Sequence, residues 1–363
     1  MSELDKLIEE LCPDGVEYKK LSEVLENNNA PKSISKKHYK DNGIIPIIDQ
    51  SQSYVAGYTD DESATPPVLP CIVFGDHTRV VKYADKTFAQ GASGTRVFMP
   101  KYPHLNTKYI YYVFSNLDIP SRGYNRHWSI VKDILIPLPP LPVQEEIVRI
   151  LDNFTELTAE LTAELTARKK QYEYYMHKLM TFGDEVEWRT LEDVCEKISS
   201  GKNKTRNDNG CYRVYGSTGV IGYSNTFSYD KNTVLVARVG ANCGYVHLAT
   251  GKYDVSDNTL IMDTKKEIYD MKFAFYQLTN MRLNQFARGG GQPLITAGQL
   301  KSLLIPIPPL HEQERIVSIL DKFDALINDI SIGLPAEIEA RQKQYEYYRE
   351  KLLSFKELDV KEA

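Results

Sequence analysis

The sequence predicts an α+β protein: two β-rich domains separated by two long antiparallel coiled-coil helices, written as a pseudo-twofold internal repeat. Three observations lead there. The segment IPLPPLPVQEEIVRILDNF at 136–154 returns as IPIPPLHEQERIVSILDKF at 305–323, and a doubled segment is the mark of a doubled unit. Each copy opens a stretch whose apolar residues recur at steps of three and four, the spacing of a coiled-coil seam. The remaining segments carry short β-like runs broken by turn residues.

At 363 residues the chain exceeds one comfortable core, so more than one domain is the starting expectation. The repeat places the borders: a domain over 1–141 with a short N-terminal helix, a long helix over 142–182, a second domain over 183–309, a second long helix over 310–357, and a tail over 358–363. Two further pairs agree, GVEYKKLSEV at 15–24 with EVEWRTLEDV at 185–194, and QYEYY at 171–175 and 344–348.

In the first domain the β-like runs are Ile44–Ile48 and Cys71–Phe74, with a late helical stretch Tyr109–Asn116. The second matches them with Thr233–Ala237, Thr259–Met262 and the helical stretch Met271–Asn280. An Asp-Asn-Gly turn stands at 41–43 and again at 208–210. Each domain is thus expected to hold one twisted, mostly antiparallel sheet.

The first long helix presents Ile147, Ile150, Phe154, Leu157, Leu161, Leu165, Tyr172 and Tyr175 as its seam. The second presents Ile316, Ile319, Phe323, Leu326, Ile330, Leu334, Ile338, Tyr345 and Tyr348. Extra four-residue steps in both read as stutters. Each helix follows a stiff diproline, Pro139-Pro140 or Pro308-Pro309, that fixes its angle of entry. Pro142-Val143 stands where the second copy has His311-Glu312, which predicts a slightly later start for the first helix. Pro335 after Gly333 predicts a kink or brief interruption in the second.

Within the first helix, LTAELTAELTA at 157–167 repeats a four-residue unit without variation. One unit adds about 6 Å and turns about 40° beyond a full turn. The unit therefore lengthens the helix and re-phases what it carries while keeping the leucines nearly aligned.

No stretch reaches the roughly 18 apolar residues of a membrane span, and the first residues are acidic where a secretion signal would be basic. The expectation is a cytoplasmic protein with no membrane partner. Cys12, Cys71, Cys195, Cys211 and Cys243 are scattered, which argues against disulfides and zinc. Net charge is −5, but 1–141 is near neutral and 183–309 slightly basic, so a basic face on either remains open. No phosphate-binding, dinucleotide, zinc-protease or serine-hydrolase motif is present, and the seven histidines lack metal-ligand spacing. Asp257-Asn258 beside Ser256 reads as a turn. The chain is expected to be a binding or scaffold subunit, not an enzyme, with no metal.

Candidate binding residues are better marked. The first domain offers Lys32, Lys36, Lys37 and His38, then His77 and Arg79, then Arg122, Tyr124, Arg126 and His127. The second offers Lys202, Lys204 and Arg206, then Arg238, then Arg288 and Gln292 around the glycine run 289–291. Arginine and lysine neutralise phosphates and contact guanine, glutamine can read adenine, and aromatic rings support displaced bases. Singly, each of these could be an ordinary solvated surface group. As a set in corresponding places of two repeated domains, they favour a ligand with its own repeat, such as duplex DNA.

The doubled I-P-[LI]-P-P-L-x-x-Q-E-x-I-V-x-I-L-D-x-F segment and the doubled QYEYY resemble the specificity subunit of Type I restriction–modification systems, over essentially the whole chain. The resemblance implies two target recognition domains, each reading half of a split asymmetric DNA site, held apart by paired helices that dock two methyltransferase subunits. It implies that those partners carry S-adenosylmethionine and methylate adenine, that restriction/translocase subunits join them, and that this chain holds no cofactor. Lys6-Leu7 resembles the helix ends Lys178-Leu179 and Lys351-Leu352, so the first residues are expected near the chain's end. Arg126-His127-Trp128 has no glycine-run counterpart, so the two domains are expected to use differently shaped loops. A coiled-coil scaffold whose two β-rich domains bind protein is the alternative.

Overall fold

The computed structural model describes residues 2–289, 291–329 and 332–358. The chain divides into two compact units, one of 1–160 with 338–363 and one of 161–337.

In the first unit, Ser2 caps the helix Glu3–Leu11 through a reciprocal bond with Asp5, satisfying end donors the helix cannot pair itself. Strand Glu17–Lys20 pairs antiparallel with Leu135–Leu138. A four-stranded antiparallel sheet follows in the order Leu25–Asn27, Thr95–Pro100, Cys71–Gly75, Val81–Ala84. A second sheet orders Gly57–Thr59, Ile45–Ile48, Ala89–Gln90, the last pair parallel. Asn106 caps the helix Thr107–Ser115, whose Tyr109, Ile110, Val113 and Phe114 enter the main core.

The second unit repeats this plan. Its ribbon pairs Glu187–Thr190 with Leu304–Ile307. Its antiparallel sheet runs Cys195–Ser200, Thr259–Thr264, Thr233–Ala237, Val246–Ala249. Its mixed sheet runs Gly219–Ser224, Tyr212–Gly216, Lys252–Val255, Tyr229–Asp230. Helix Met271–Asn280 is capped by Asp270. Each unit therefore holds two principal sheets and a ribbon where the sequence led us to expect one sheet. Period-2 patterning locates strands but does not say which strands pair. The repeated Asp-Asn-Gly turns serve close approach: a Cβ on Gly43 or Gly210 would press on the backbone of Thr59 or Ser224.

The first long helix spans Leu141–Leu179 and its counterpart begins at Leu310, so the later start expected from Pro142 does not occur. The Pro140 carbonyl accepts from Val143 and Gln144 as that of Pro309 accepts from Glu312 and Gln313, and a first-turn proline removes no helical hydrogen bond. The helix heads bury more than a seam. Val143, Ile147 and Leu151 are fully buried in the first unit's core, Ile316 and Leu320 in the second's, whereas Ile150 and Ile319 are half-buried. Leu151 and Leu320 lie off the expected seam because each head packs on its own domain as well.

In the first unit Phe154 stacks on Tyr348, centroids 5.5 Å apart, while Ile147 and Leu353 enter the same core. One helix number rises outward as the other falls, an antiparallel pairing. In the second unit Phe323 meets Tyr172 and Tyr175 at 6.3 and 5.7 Å, with Ile316 and Met180 sharing a core. Leu157, Leu161, Leu165 and Tyr345 are half-buried.

The expected second helix over 310–357 is two helices, Leu310–Asn328 and Leu334–Leu352. Gly333 stands just before the second of them, its N–H donating to the Asp329 carbonyl at 3.0 Å. Any Cβ there would strike the carbonyls of Ala325, Leu326 and Asp329. Ile330, counted in the seam, and residues 359–363 of the tail lie outside the described residues. Beyond Leu352 the chain pairs with the ribbon: Val16 N–H donates to Lys356 O at 2.9 Å and Leu358 N–H to Val16 O at 3.0 Å. Leu353 thus closes the first unit's core from the chain's far end, as Met180 closes the second's.

Candidate nucleic-acid interface

Strand Cys71–Gly75 is buried along its whole length and delivers Asp76 to its end. Asp76 is 1% exposed. Its carboxylate accepts from Arg96 Nε at 2.8 Å and from the Trp128 N–H at 2.7 Å. Its N–H donates to Gly94 O at 2.7 Å, and its carbonyl accepts from the His127 N–H at 2.8 Å. A buried carboxylate is stable only when fully partnered, so this one residue ties together the strand end, the loop at 91–94 and the loop at 119–128.

His127 completes the joint. Its Nε2 accepts from the Arg122 N–H at 3.1 Å, which leaves Nδ1 to donate to Asp76 O at 2.9 Å. The ring is fully buried, so His127 holds the loop and does not present itself to a ligand. That corrects its place among the contact candidates. A histidine next to two exposed arginines gives no sign in sequence of which way its ring turns.

Arg122, Tyr124 and Arg126 are exposed. Tyr124 stacks flat on His77, centroids 4.5 Å apart and planes 7° off parallel, and His77 Nδ1 donates to the Tyr124 carbonyl at 3.0 Å. Arg79 adopts a φ of 65° and gives its guanidinium to Ile119 O at 2.8 Å. Lys36 and Lys37 stand exposed in a short turn of helix. They follow Ile34, which bonds both ways with the 90–92 segment.

The second unit builds the same junction from different residues. Strand Thr233–Ala237 delivers Arg238, whose N–H donates to Asn258 O at 2.9 Å and whose carbonyl accepts from Ile295 N–H at 2.9 Å. Those bonds correspond to the two backbone bonds of Asp76. The loops at 122–127 and 288–295, unrelated in sequence, therefore occupy equivalent places. Arg288 and Leu294 bond reciprocally at 3.0 and 2.9 Å, and Gly240 N–H donates to Pro293 O at 3.1 Å. Gly289 takes a φ of 102°, and Gly290 of the glycine run lies outside the described residues. Arg288 and Gln292 are exposed. Lys202, Lys204 and Arg206, also exposed, follow Gly201, which is pressed against the Val255 and Ser256 carbonyls. Arg238 stands where the first unit has Asp76. Its Nε is buried without a hydrogen-bond partner, a costly arrangement.

Among the described residues, Lys36, Lys37, Arg79, Arg122, Arg126, Lys202, Lys204, Arg206, Arg238 and Arg288 make no ion pair, whereas Lys32 and Lys40 are held by Asp61 and Asp60 at 2.6 Å. Cations left without carboxylates on converging loops suit a polyanion. Sequence reasoning missed Asp76, Arg96 and Gly94. Gly94 has φ 83°, and a Cβ there would collide with the His77 ring. Its only signal was a glycine in a loop. Ser256-Asp257-Asn258 is a turn, as expected. Among the described residues no three acidic, histidine or cysteine side chains group as a metal site, and no helix is long and apolar enough to cross a membrane.

The sequence matches the Type I restriction modification DNA specificity domain twice, over residues 13–168 and 183–340. It is 35% identical to the Type I restriction enzyme EcoR124I/EcoR124II specificity subunit of Escherichia coli, covering 98% of this chain and 97% of that one. It is 33% identical to a type I restriction enzyme specificity subunit of Haemophilus influenzae, covering 97% and 98%. In fold it resembles the crystal structure of a Type I restriction–modification S subunit from M. genitalium, with a TM-score of 0.63, 15% identity, and coverage of 93% and 96%.

Proposed function

The chain belongs to the family of Type I restriction–modification specificity subunits, and from that premise we propose that its two units read the two parts of one split, asymmetric duplex target. Such a subunit recognises DNA and carries no catalysis of its own. The observation that supports a bipartite reading is the doubled junction. Equivalent backbone bonds at Asp76 and Arg238 present dissimilar loops, so one scaffold offers two sets of exposed side chains. On this reading the segments 1–141 and 183–309 are the target recognition domains.

Lys36, Lys37, His77, Arg79, Arg122, Tyr124 and Arg126 serve the first half-site. Lys202, Lys204, Arg206, Arg238, Arg288 and Gln292 serve the second. Lysine and arginine neutralise phosphates and fix register, and a few arginine or glutamine contacts to base edges carry the specificity. The helical segments 142–182 and 310–357 set the distance between half-sites and dock two methyltransferase subunits, which bring S-adenosylmethionine to an adenine; restriction subunits join that assembly. No cofactor belongs to this chain.

Sequencing methylated DNA from cells that express the chain with its methyltransferase tests the reading. A split motif with a fixed gap is expected. Methylation at a continuous motif overturns the two-domain assignment, and the absence of salt-dependent DNA binding by the assembled complex would favour a protein-binding scaffold instead.

A further inference from the structure

Tyr124 is 79% exposed, yet its ring is not free to wander. One face lies on His77 at 4.5 Å and 7°, and the His77 ring is pinned by its own bond to the Tyr124 carbonyl at 3.0 Å. Behind His77 stands Gly94, where any side chain would collide with the imidazole. The loop is fastened at its base by the buried His127 and Asp76, and internally by Asn125 Nδ2 donating to Arg122 O at 2.6 Å. Arg122 and Arg126 stand two residues before and two after Tyr124 in the same loop, both exposed and without an ion pair among the described residues, Arg122 Nη1 donating to Ser129 Oγ at 3.1 Å.

An exposed aromatic ring with one face backed by a second ring keeps the other face open for a third planar group. Conformational entropy normally opposes stacking by a loop side chain, and here the ring is already ordered. The two arginines of the same loop can hold phosphates near the base that such a ring would meet. We propose that the Tyr124–His77 pair is a stacking platform whose open face receives one base of the first half-site, held out of the regular duplex stack. This rests on the reading of the first unit as a DNA-recognition domain and adds a deformation of the DNA to it. The second unit does not repeat the geometry. Val239 follows Arg238 where His77 follows Asp76, so the imidazole that backs Tyr124 has no counterpart at that junction and the deformation is confined to the first half-site.

The test uses the full chain assembled with its methyltransferase and a duplex of the mapped target. 2-Aminopurine replaces, one at a time, each purine of both half-sites except the adenine that is methylated, since methyl transfer extrudes that base independently. The expected result is a several-fold rise in fluorescence at a purine beside one step of the first half-site, where it loses the stacking neighbour that Tyr124 has taken, and none in the second. Tyr124→Ala should abolish the rise and weaken binding on the order of 10-fold, Tyr124→Trp should retain both, and His77→Ala should lower the rise by freeing the ring. A rise that survives Tyr124→Ala, or binding by the native assembly with no rise in the first half-site, overturns the platform and leaves the recognition reading standing. Failure of the native assembly to bind the mapped duplex removes both.

Discussion

Tyr112 donates its phenol to the Asp152 carboxylate at 2.6 Å, and the second unit repeats the bond from Tyr276 to Asp321 at 2.7 Å. A lysine one turn earlier joins each, Lys108 to Asp152 at 2.8 Å and Lys272 to Asp321 at 2.5 Å. The domain helix and the long helix are thereby tied by the same three side chains in both units. The repeated glutamine adds a second tie. Gln144 Oε1 accepts from the Asn106 N–H and Nε2 donates to Pro139 O, while Gln313 binds Asp270 N–H and Pro308 O likewise. These bonds account for the glutamine and the aspartate that stand in both copies, and they tie each domain helix to the head of its long helix.

Asp152→Ala should therefore cost about 1–3 kcal/mol, because it strands a buried phenol and an ammonium group. The loss should appear in urea unfolding of the full chain, with the midpoint lowered. Tyr112→Phe removes the donor without stranding the lysine and should cost less. Equal costs would mean that the phenol–carboxylate bond carries the whole tie and that Lys108 adds nothing to it.

Stability should fall at alkaline pH. Burial first, and then the carboxylate beside each, push the Tyr112 and Tyr276 phenols well above the ordinary tyrosine value of 10.0. A folded pKa raised in this way favours the neutral form in the native state. Its contribution is complete below pH 10 and is lost as pH rises from there toward the folded value. The double variant Tyr112→Phe, Tyr276→Phe should be less stable at pH 8 and show a shallower decline above pH 10. Unchanged steepness would place the alkaline transition elsewhere.

Gly94→Ala should act through His77. The backbone there has φ 83°, which costs an alanine on the order of 1–2 kcal/mol, and the new methyl would displace the imidazole. Methylation of targets altered only in the first half-site should become more permissive, while second half-site discrimination holds. Loss of both would point to misfolding of the chain instead of movement of one loop.

Arg206→Ala and Arg288→Ala should weaken only the half-site read by the second unit, by about 1–3 kcal/mol for a base contact. A phosphate contact would instead lower the salt slope by about one and weaken all sequences alike. Binding measured against salt for matched and half-matched duplexes separates the cases. Equal loss at both half-sites would assign these arginines to assembly.

What the sequence disclosed follows the physics of each signal. The long helices, the strands Cys71–Gly75 and Thr233–Ala237, and the helix Met271–Asn280 were legible because periodicity and apolar runs are local. The break at Gly333–Pro335 was legible for the same reason. Sheet partition was not, since pairing of Thr95–Pro100 with Cys71–Gly75 depends on tertiary context. The cations of the loops could be named from sequence, but their convergence hangs on Asp76 and Arg238, whose backbone bonds carry no mark in residue type. His127 shows the limit most plainly: its charge class suggested a ligand, and burial made it a strut.

The LTAE repeat supplies the last prediction. Its leucines Leu157, Leu161 and Leu165 are half-buried, and its threonines bond backward within the helix, Thr158 to Phe154 O and Thr166 to Thr162 O, both at 2.9 Å. Removing one unit sets the next copy in its place, so Thr166 comes four residues after Thr158, as it now follows Thr162, and Glu160 takes the position of Glu164 beside Arg168. Deleting Thr162–Leu165 shortens the helix by about 6 Å and turns it about 40° past a full turn. One base-pair step rises about 3.4 Å. The unread gap in the methylated motif should contract by one or two base pairs with both half-sites intact, as read by methylation sequencing. A gap of unchanged length would show that the helix does not set the spacing.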